Sequence, residues 1–228
     1  MPMKISIIIP VLNEGGIIRD SLTALAPLRS AGHEVIVVDG GSRDNTLELA
    51  QPLADQAIQC PPGRAGQMNK GAAVAHGDIL VFLHADTRLP SNADTLIIKG
   101  LKYAERDWGR FDVRLAGNPP LLRIIELMMN WRSRVTAIAT GDQCLFMRRA
   151  LFDTIGGYPD IALMEDIAIS KLLKWHGRPL CIREKVVASS QRWEQQGVLR
   201  TILLMWRLRL GYFLGEDPLH LAQLYQQK

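Results

Sequence analysis

With 228 residues, of which 47% are hydrophobic and 22% charged, the chain can bury a substantial core and falls within the range of one domain. Its 27 Lys and Arg against 23 Asp and Glu give a formal charge of +4 spread along the sequence, which excludes the dense basic block of a general nucleic-acid binder. Cys60, Cys144 and Cys181 form no CxxC pair, so they are expected as small buried hydrophobes in a reducing compartment, not as a zinc site or disulfide framework. Met1-Pro2-Met3-Lys4 carries no basic leader, and a cytoplasmic location is expected.

Ile5 to Val11 is an apolar, mostly β-branched run closed by Pro10, the pattern of a parallel strand buried on both faces. A helix is expected from Gly15 to Leu25, then a second short strand from Glu34 to Asp39. After Gly40-Gly41-Ser42, Asp44 and Asn45 are placed to cap a helix running to Ala50. A third strand at Ala57 to Cys60, a small-residue helix at Gln67 to Ala75 and a fourth strand at Ile79 to Leu83 continue the alternation. It predicts an α/β fold with a parallel sheet and right-handed crossovers, whose ligand sites lie at the carboxyl ends of the strands. Beyond Pro90 the expected order is helix Asn92 to Arg106, strand Arg110 to Leu115, helix Pro120 to Ala137, strand Cys144 to Met147, helix Glu165 to Trp175, strand Leu180 to Ile182 and helix Gly197 to Leu214. No repeat or low-complexity tract interrupts it.

The polar clusters fall at those strand ends. Asp39 follows a hydrophobic strand and precedes two glycines, which suits either a nucleoside contact or a cap on the following turn. Asp86, in His84-Ala85-Asp86, is either a single carboxylate for a hard cation completed by substrate phosphates or a helix cap. Glu165-Asp166 opens a helix with an apolar stripe of Ile167, Ile169, Leu172 and Leu173. Acids favour helix N-termini in any case, but a carboxylate held there is also a candidate general base for a group-transfer reaction. Gly63-Arg64-Ala65-Gly66-Gln67 offers backbone N–H groups and Arg64 to a phosphate or base without matching a Walker A loop or GxGxxG.

Taken in order, Ile7-Ile8-Ile9-Pro10-Val11-Leu12-Asn13-Glu14, Val37-Val38-Asp39-Gly40-Gly41-Ser42, Leu83-His84-Ala85-Asp86-Thr87 and Glu165-Asp166 resemble the family 2 inverting glycosyltransferases over nearly the whole chain. The resemblance implies a GT-A fold, with a mostly parallel central sheet flanked by helices and a helical C-terminal extension. It also implies a UDP- or GDP-linked sugar donor, a hydroxyl acceptor and a divalent cation, Mg²⁺ or Mn²⁺. The single domain would then divide into a nucleotide-binding half (1–90), an acceptor and catalytic half (91–196) and the extension (197–228). By the same resemblance Pro10, Asn13, Glu14, Asp39 and Arg64 line the nucleoside pocket, and Asp86 is the last acid of the family's DxD motif, meeting metal and diphosphate, while His84 stands where the first acid would be. Asp166 would be the base, with Glu165 supporting it. Arg192 and Trp193 are similar to the end of an acceptor-side motif of processive members, or else are a structural Trp with a surface Arg. Asp142 and Gln143 would face the acceptor by analogy, and the reading requires Asp39, Asp86 and Asp166 to converge on one cleft. Gly211 to Gly215 looks like a stretch of short, single-domain bacterial members. Two other classes stay open, a non-catalytic nucleotide-sugar-binding protein and a sugar-1-phosphate nucleotidyltransferase. The latter is expected to carry a Gly-rich basic loop where this chain has Pro-Val-Leu-Asn-Glu.

Val198 to Leu214 is apolar and aromatic but interrupted by Arg200, Arg207 and Arg209, which exclude an ordinary membrane span. Together with Leu121 to Trp131 it fits either interfacial helices or core helices whose arginines snorkel to the surface. The expectation is weak peripheral contact at most, on the inner membrane face.

Overall fold

The apolar runs form strands where expected: β1 (Ile5–Val11), β2 (Glu34–Asp39), β3 (Gln56–Gln59) and β4 (Ile79–Phe82). Helices α1 (Ile18–Ala24), α2 (Ala26–Ser30), α3 (Thr46–Ala50) and α4 (Arg64–Val74) alternate with them. The second half comprises β5 (Thr87–Arg88), α5 (Ala93–Tyr103), β6 (Trp108–Leu115), α6 (Pro120–Thr136), β7 (Leu145–Arg148), α7 (Arg149–Thr154), α8 (Glu165–Lys174) and β8 (Leu180–Ala188). The extension holds α9 (Gln191–Gln196), α10 (Val198–Phe213) and α11 (Pro218–Gln226). A computed structural model describes residues 3–117 and 119–226, apart from the side chains of Arg192, Gln195, Gln196 and Gln226.

All the strands join one sheet in the order β3-β2-β1-β4-β7-β6-β8-β5. The parallel arrangement holds for β3, β2, β1 and β4 and again for β6 with β8. It fails at β7, antiparallel to both β4 and β6, and at β5, antiparallel to β8. The sheet is therefore mixed, because the connections beyond β4 do not repeat the strand–helix–strand crossover. β8 also outruns its expected end at Ile182, since Lys185 to Ala188 extend the ladder with β6 after a register shift at Phe111/Asp112.

Period-two alternation in β1 builds both layers. Ile5, Ile7, Ile9 and Val11 pack with Ile18, Leu22, Ile97 and Leu101 on one face. Ile8, with Ile36 and Val38, packs with Ala65, Met68, Phe152 and Ile169 on the other. Helix α4 comes so close to the second face that a Cβ on Gly71 would lie 2.5 Å from Ile8 Cγ2 and 3.0 Å from Val38 Cγ2; only glycine permits that approach. A satellite cluster of Met164, Ile167, Leu208 and Leu221 packs α10 and α11 onto the start of α8.

At the amino edge of the sheet, Glu34 accepts hydrogen bonds from Ser6 Oγ (2.6 Å) and His76 N (2.9 Å). Burial alone would raise its carboxyl, but these bonds outweigh burial and hold it at about 2. Of the cysteines only Cys144 is fully buried; Cys60 and Cys181 are half-buried, because they sit near strand ends and not in the layers.

Candidate active site

The carboxyl ends of β1 and β2 are laced together by the polar residues that follow them. Asn13, with φ 56°, is in the left-handed region. Its N–H donates to Ser42 Oγ at 2.8 Å, and its Oδ1 accepts from Arg43 N at 2.9 Å. Glu14 N donates to Thr46 Oγ1 at 2.8 Å. Asp39 is fully buried and turned into its own loop, accepting the N–H groups of Gly41 (3.2 Å) and Ser42 (3.0 Å) and the Ser42 hydroxyl. Its carboxylate organises the Gly40–Ser42 turn. Gln67, whose role was not legible in the sequence, is buried between the strands and donates through Nε2 to Val11 O and Val38 O, each at 2.8 Å.

From β4 the chain continues through Leu83 to His84 and Asp86. His84 Nδ1 lies 3.4 Å from Asp142 Oδ1, and the Gly141–Gln143 turn rests directly on the imidazole. Burial would raise the Asp142 carboxyl, yet His84, with Arg64 and Arg209 behind it, brings it below the ordinary range. Gly141 N then donates at 3.0 Å to Asp166 Oδ2, so one short turn connects His84 to Asp166.

Helix α8 starts after Met164, itself left-handed at φ 69°, a conformation that non-glycine residues keep only where surrounding structure enforces it. Asp166 is half-buried, its Oδ1 accepting from Ile167 N at 2.7 Å. Beside it Glu165 is buried, and burial followed by the charge of Asp166 raises its carboxyl. Arg64 is exposed at the start of α4, and the charges of Glu165, Tyr225, Asp142 and Asp166 raise its affinity for a proton. Arg64 therefore faces the acids of α8 as well as Glu14, whose carboxyl is raised by burial and by Asp86.

Asp39, Asp86 and Asp166 lie along the same strand-end side of the sheet but border different depressions, so the donor and the base would be reached from neighbouring crevices. Asp166 lines a crevice with Pro10, His84, Gly141, Tyr158 and Glu165. Asp86 is exposed and lines a neighbouring groove with Ser21, Arg88, Ser189 and Gln191. Asp39 lines neither. His84 lines the Asp166 crevice, and Glu14 feels the charges of Asp86, Arg64 and His84. Gln143 also departs from expectation. It is fully buried, donating to Ser133 Oγ (3.0 Å) and Asn130 Oδ1 (3.3 Å), and it anchors the turn on α6 instead of facing an acceptor. Trp193 is half-buried against the core, and the Arg192 side chain lies outside the described residues.

Two arginines absent from the sequence reading of the site also turn inward. Arg209 is half-buried: burial lowers its affinity for a proton while Asp166 and Asp142 oppose that effect. Arg132, on α6, is lowered to about 10 by burial and by Arg209, with Asp166 opposing. Arg207, by contrast, does reach the surface and pairs with Glu216 at 2.8 Å.

The family model for glycosyl transferase family 2 matches residues 6–154. The chain is 28% identical to the probable glycosyltransferase YdaM of Bacillus subtilis (strain 168), in an alignment covering 99% of this chain and 59% of that protein. It spans about six tenths of the length of the curated relatives it matches. Among solved structures, S. aureus TarS 1-349 in complex with UDP-GlcNAc superposes with a TM-score of 0.67 at 19% identity, covering 82% of this chain and 58% of that one. The mannosyltransferase PcManGT from Pyrobaculum calidifontis, in complex with GDP-Man and Mn²⁺, superposes with a TM-score of 0.66 at 22% identity, covering 100% of this chain and 71% of that one. These likenesses give the GT-A fold, and because the family match runs from β1 through α7, the chain belongs to glycosyl transferase family 2.

Proposed function

We propose that this glycosyltransferase moves a sugar, with inversion, from a UDP- or GDP-linked donor to a hydroxyl acceptor, with Asp166 as the general base. The observation that carries this reading is the setting of Asp166. Two backbone N–H groups, from Gly141 and Ile167, fix its carboxylate at the mouth of the crevice below Pro10 and His84. A carboxylate held that way takes a proton without first reorganising. The acceptor oxygen bonds to the anomeric carbon from one face, its proton passes to Asp166, and the carbon–oxygen bond to the diphosphate breaks on the other. Glu165 supports the base, and Asp142 stands on the acceptor side.

The donor would lie along the β1–β2–β4 edge, with Pro10, Asn13, Glu14, the Asp39 loop and Arg64 around the nucleoside. No group of three or more His, Cys, Asp or Glu side chains is arranged to hold a metal among the described residues. Asp86 and Glu14, whose negative charges act on each other, nonetheless fit a hard cation such as Mg²⁺ or Mn²⁺ completed by phosphate oxygens. Bound there, it would neutralise charge on the departing diphosphate. Residues 1–90 would thus serve the donor, 91–196 the acceptor, and 197–228 would close the site from one side.

No helix among the described residues is long and apolar enough to cross a membrane. The outer faces of α6 and α10 nevertheless expose Leu127 (70%), Trp131 (66%), Leu203 (65%) and Phe213 (79%). Such faces suit peripheral contact with the cytoplasmic side of a membrane and a lipid-linked acceptor. Flotation with anionic liposomes tests that contact, and failure to co-migrate removes it.

A thermal-shift panel of UDP- and GDP-sugars with and without Mn²⁺ tests the donor assignment. A ligand at one hundred times its Kd adds about 2.7 kcal/mol of stability, a shift expected for one base and only with the metal. No shift with any donor would overturn the assignment.

A further inference from the structure

The groove bordered by Asp86 has a volume of about 250 Å³ and shares no lining residue with the Asp166 crevice. About 150 Å³ takes a bare six-membered ring, so there is room for one ring with its hydroxyl groups. The groove runs between α1 and the end of β8, where Ile17 and Val187 give it exposed apolar surface. Asp20 on α1 and Arg88 on β5 are also exposed, and among the described residues neither makes a hydrogen bond or an ion pair. Arg88 is the direct cross-strand partner of Val187, so the two side chains project on the same side. Ser189 and Gln191 add further hydrogen-bonding groups. The Ser21 hydroxyl donates to Ala85 O, which pins α1 beside the turn that carries Asp86.

These groups discriminate between classes of ligand. Asp86 faces the cation and the diphosphate in the reading above, which leaves Asp20 and Arg88, one charge of each sign, for the occupant of the groove. A phosphate there would meet Arg88 but also Asp20, and a cation would meet Asp20 but also Arg88. A neutral polyol has neither conflict. A carboxylate only accepts hydrogen bonds and a guanidinium only donates them, whereas a hydroxyl does both. The carbon face of a sugar ring would rest on the apolar surface between them, the usual division of labour in a small-molecule site.

We propose that this groove is a saccharide subsite, in which Asp20 and Arg88 hold the hydroxyl groups of a sugar ring over Ile17 and Val187. This rests on the transferase reading above and deepens it, because Asp86 joins the groove to the diphosphate. The ring has two sources, the sugar of the donor or a sugar of the acceptor. In either case the groove residues bind and orient it and form no covalent bond with it.

The test uses the full chain with Mn²⁺, as wild type and as Asp20→Ala, Arg88→Ala and Val187→Trp, the last of which fills the groove without removing a charge. Calorimetry compares UDP with UDP-glucose and UDP-N-acetylglucosamine, and GDP with GDP-mannose. Saturation-transfer NMR follows methyl glucoside, methyl N-acetylglucosaminide and methyl mannoside with the diphosphate present. If the donor's sugar occupies the groove, a sugar nucleotide should bind about tenfold or more weaker in each variant, while the bare diphosphate keeps its affinity. If the acceptor's sugar does, each variant should lose the glycoside signal with both kinds of nucleotide unaffected. Asp20 and Arg88 are exposed and unpaired, so their variants should melt as the wild type does. Equal sugar binding by the wild type and the Asp20 and Arg88 variants would overturn the subsite. So would a wild type that binds no glycoside and gains nothing from the sugar of any nucleotide. Binding of the bare diphosphate reports the transferase reading separately, so that failure of one leaves the other standing.

Discussion

Replacing Gly141 by alanine tests the link between His84 and Asp166. An added Cβ would fall closer than 3.0 Å to Cε1 and Nε2 of His84, with Cδ2 at 3.5 Å. The imidazole is also held by Asp142, whose Oδ1 lies 3.4 Å from Nδ1, so either the ring or the turn must move. Overpacking of this kind costs about 1–3 kcal/mol of stability. If the turn moves, the 3.0 Å bond from Gly141 N to Asp166 Oδ2 is stretched, and a charge-assisted bond of this kind contributes about 1.5–3 kcal/mol. Misplacement of a base by about 1 Å lowers a rate by about a hundredfold. Release of nucleoside diphosphate from the donor, followed under saturating donor, should therefore fall by ten- to a hundredfold, while donor binding measured by calorimetry changes little. Wild-type turnover in a folded Gly141→Ala protein would refute the idea that this turn positions Asp166.

Asp86→Ala should reduce Mn²⁺-dependent donor binding by about tenfold, since a hard cation loses its charged protein ligand; a calorimetric titration indifferent to the change would contradict the assignment. Gly71→Ala places a methyl 2.5 Å from Ile8 Cγ2 and should lower stability by about 1–3 kcal/mol in urea. Glu34→Gln should cost about 2 kcal/mol through weakened bonds from Ser6 and His76. Because the Glu34 carboxyl sits at about 2, against an ordinary value of 4.5, its contribution is present above pH 4.5 and lost as pH falls toward 2. The wild type and the variant should therefore converge in stability across that range and differ above it, and a constant gap would rule the linkage out.

The first half of the fold was legible because β1, β2 and β4 are buried on both faces and so carry continuous apolar runs. β5 escaped notice because two residues, Thr87 and Arg88, carry no periodicity. The reversal at β7 was equally hidden, since Leu145 to Met147 are buried whichever direction the strand runs. Asp86, Glu165 and Asp166 were visible as acids at element ends. Asp39 was legible in place but not in orientation, because whether a carboxylate turns to a ligand or to its own Gly-Gly-Ser loop depends on backbone geometry. Gln143 was read as facing the acceptor by analogy alone, whereas the turn buries it against Ser133 and Asn130. Arg209 looked like a surface charge of an amphipathic helix. Only the packing of α10 on α8 through Leu208, Met164 and Ile167 turns Arg209 inward.

The most direct test of the central claim is to compare Asp166→Asn with the wild type in two measurements, donor binding and sugar transfer. Asparagine keeps the size and can still accept from Gly141 N but takes no proton. The assignment predicts transfer lowered by about a hundredfold to ten-thousandfold with the donor Kd within about twofold, because a base acts in the transition state. Transfer near the wild-type rate, or donor binding lost in step with it, would contradict Asp166 as the base.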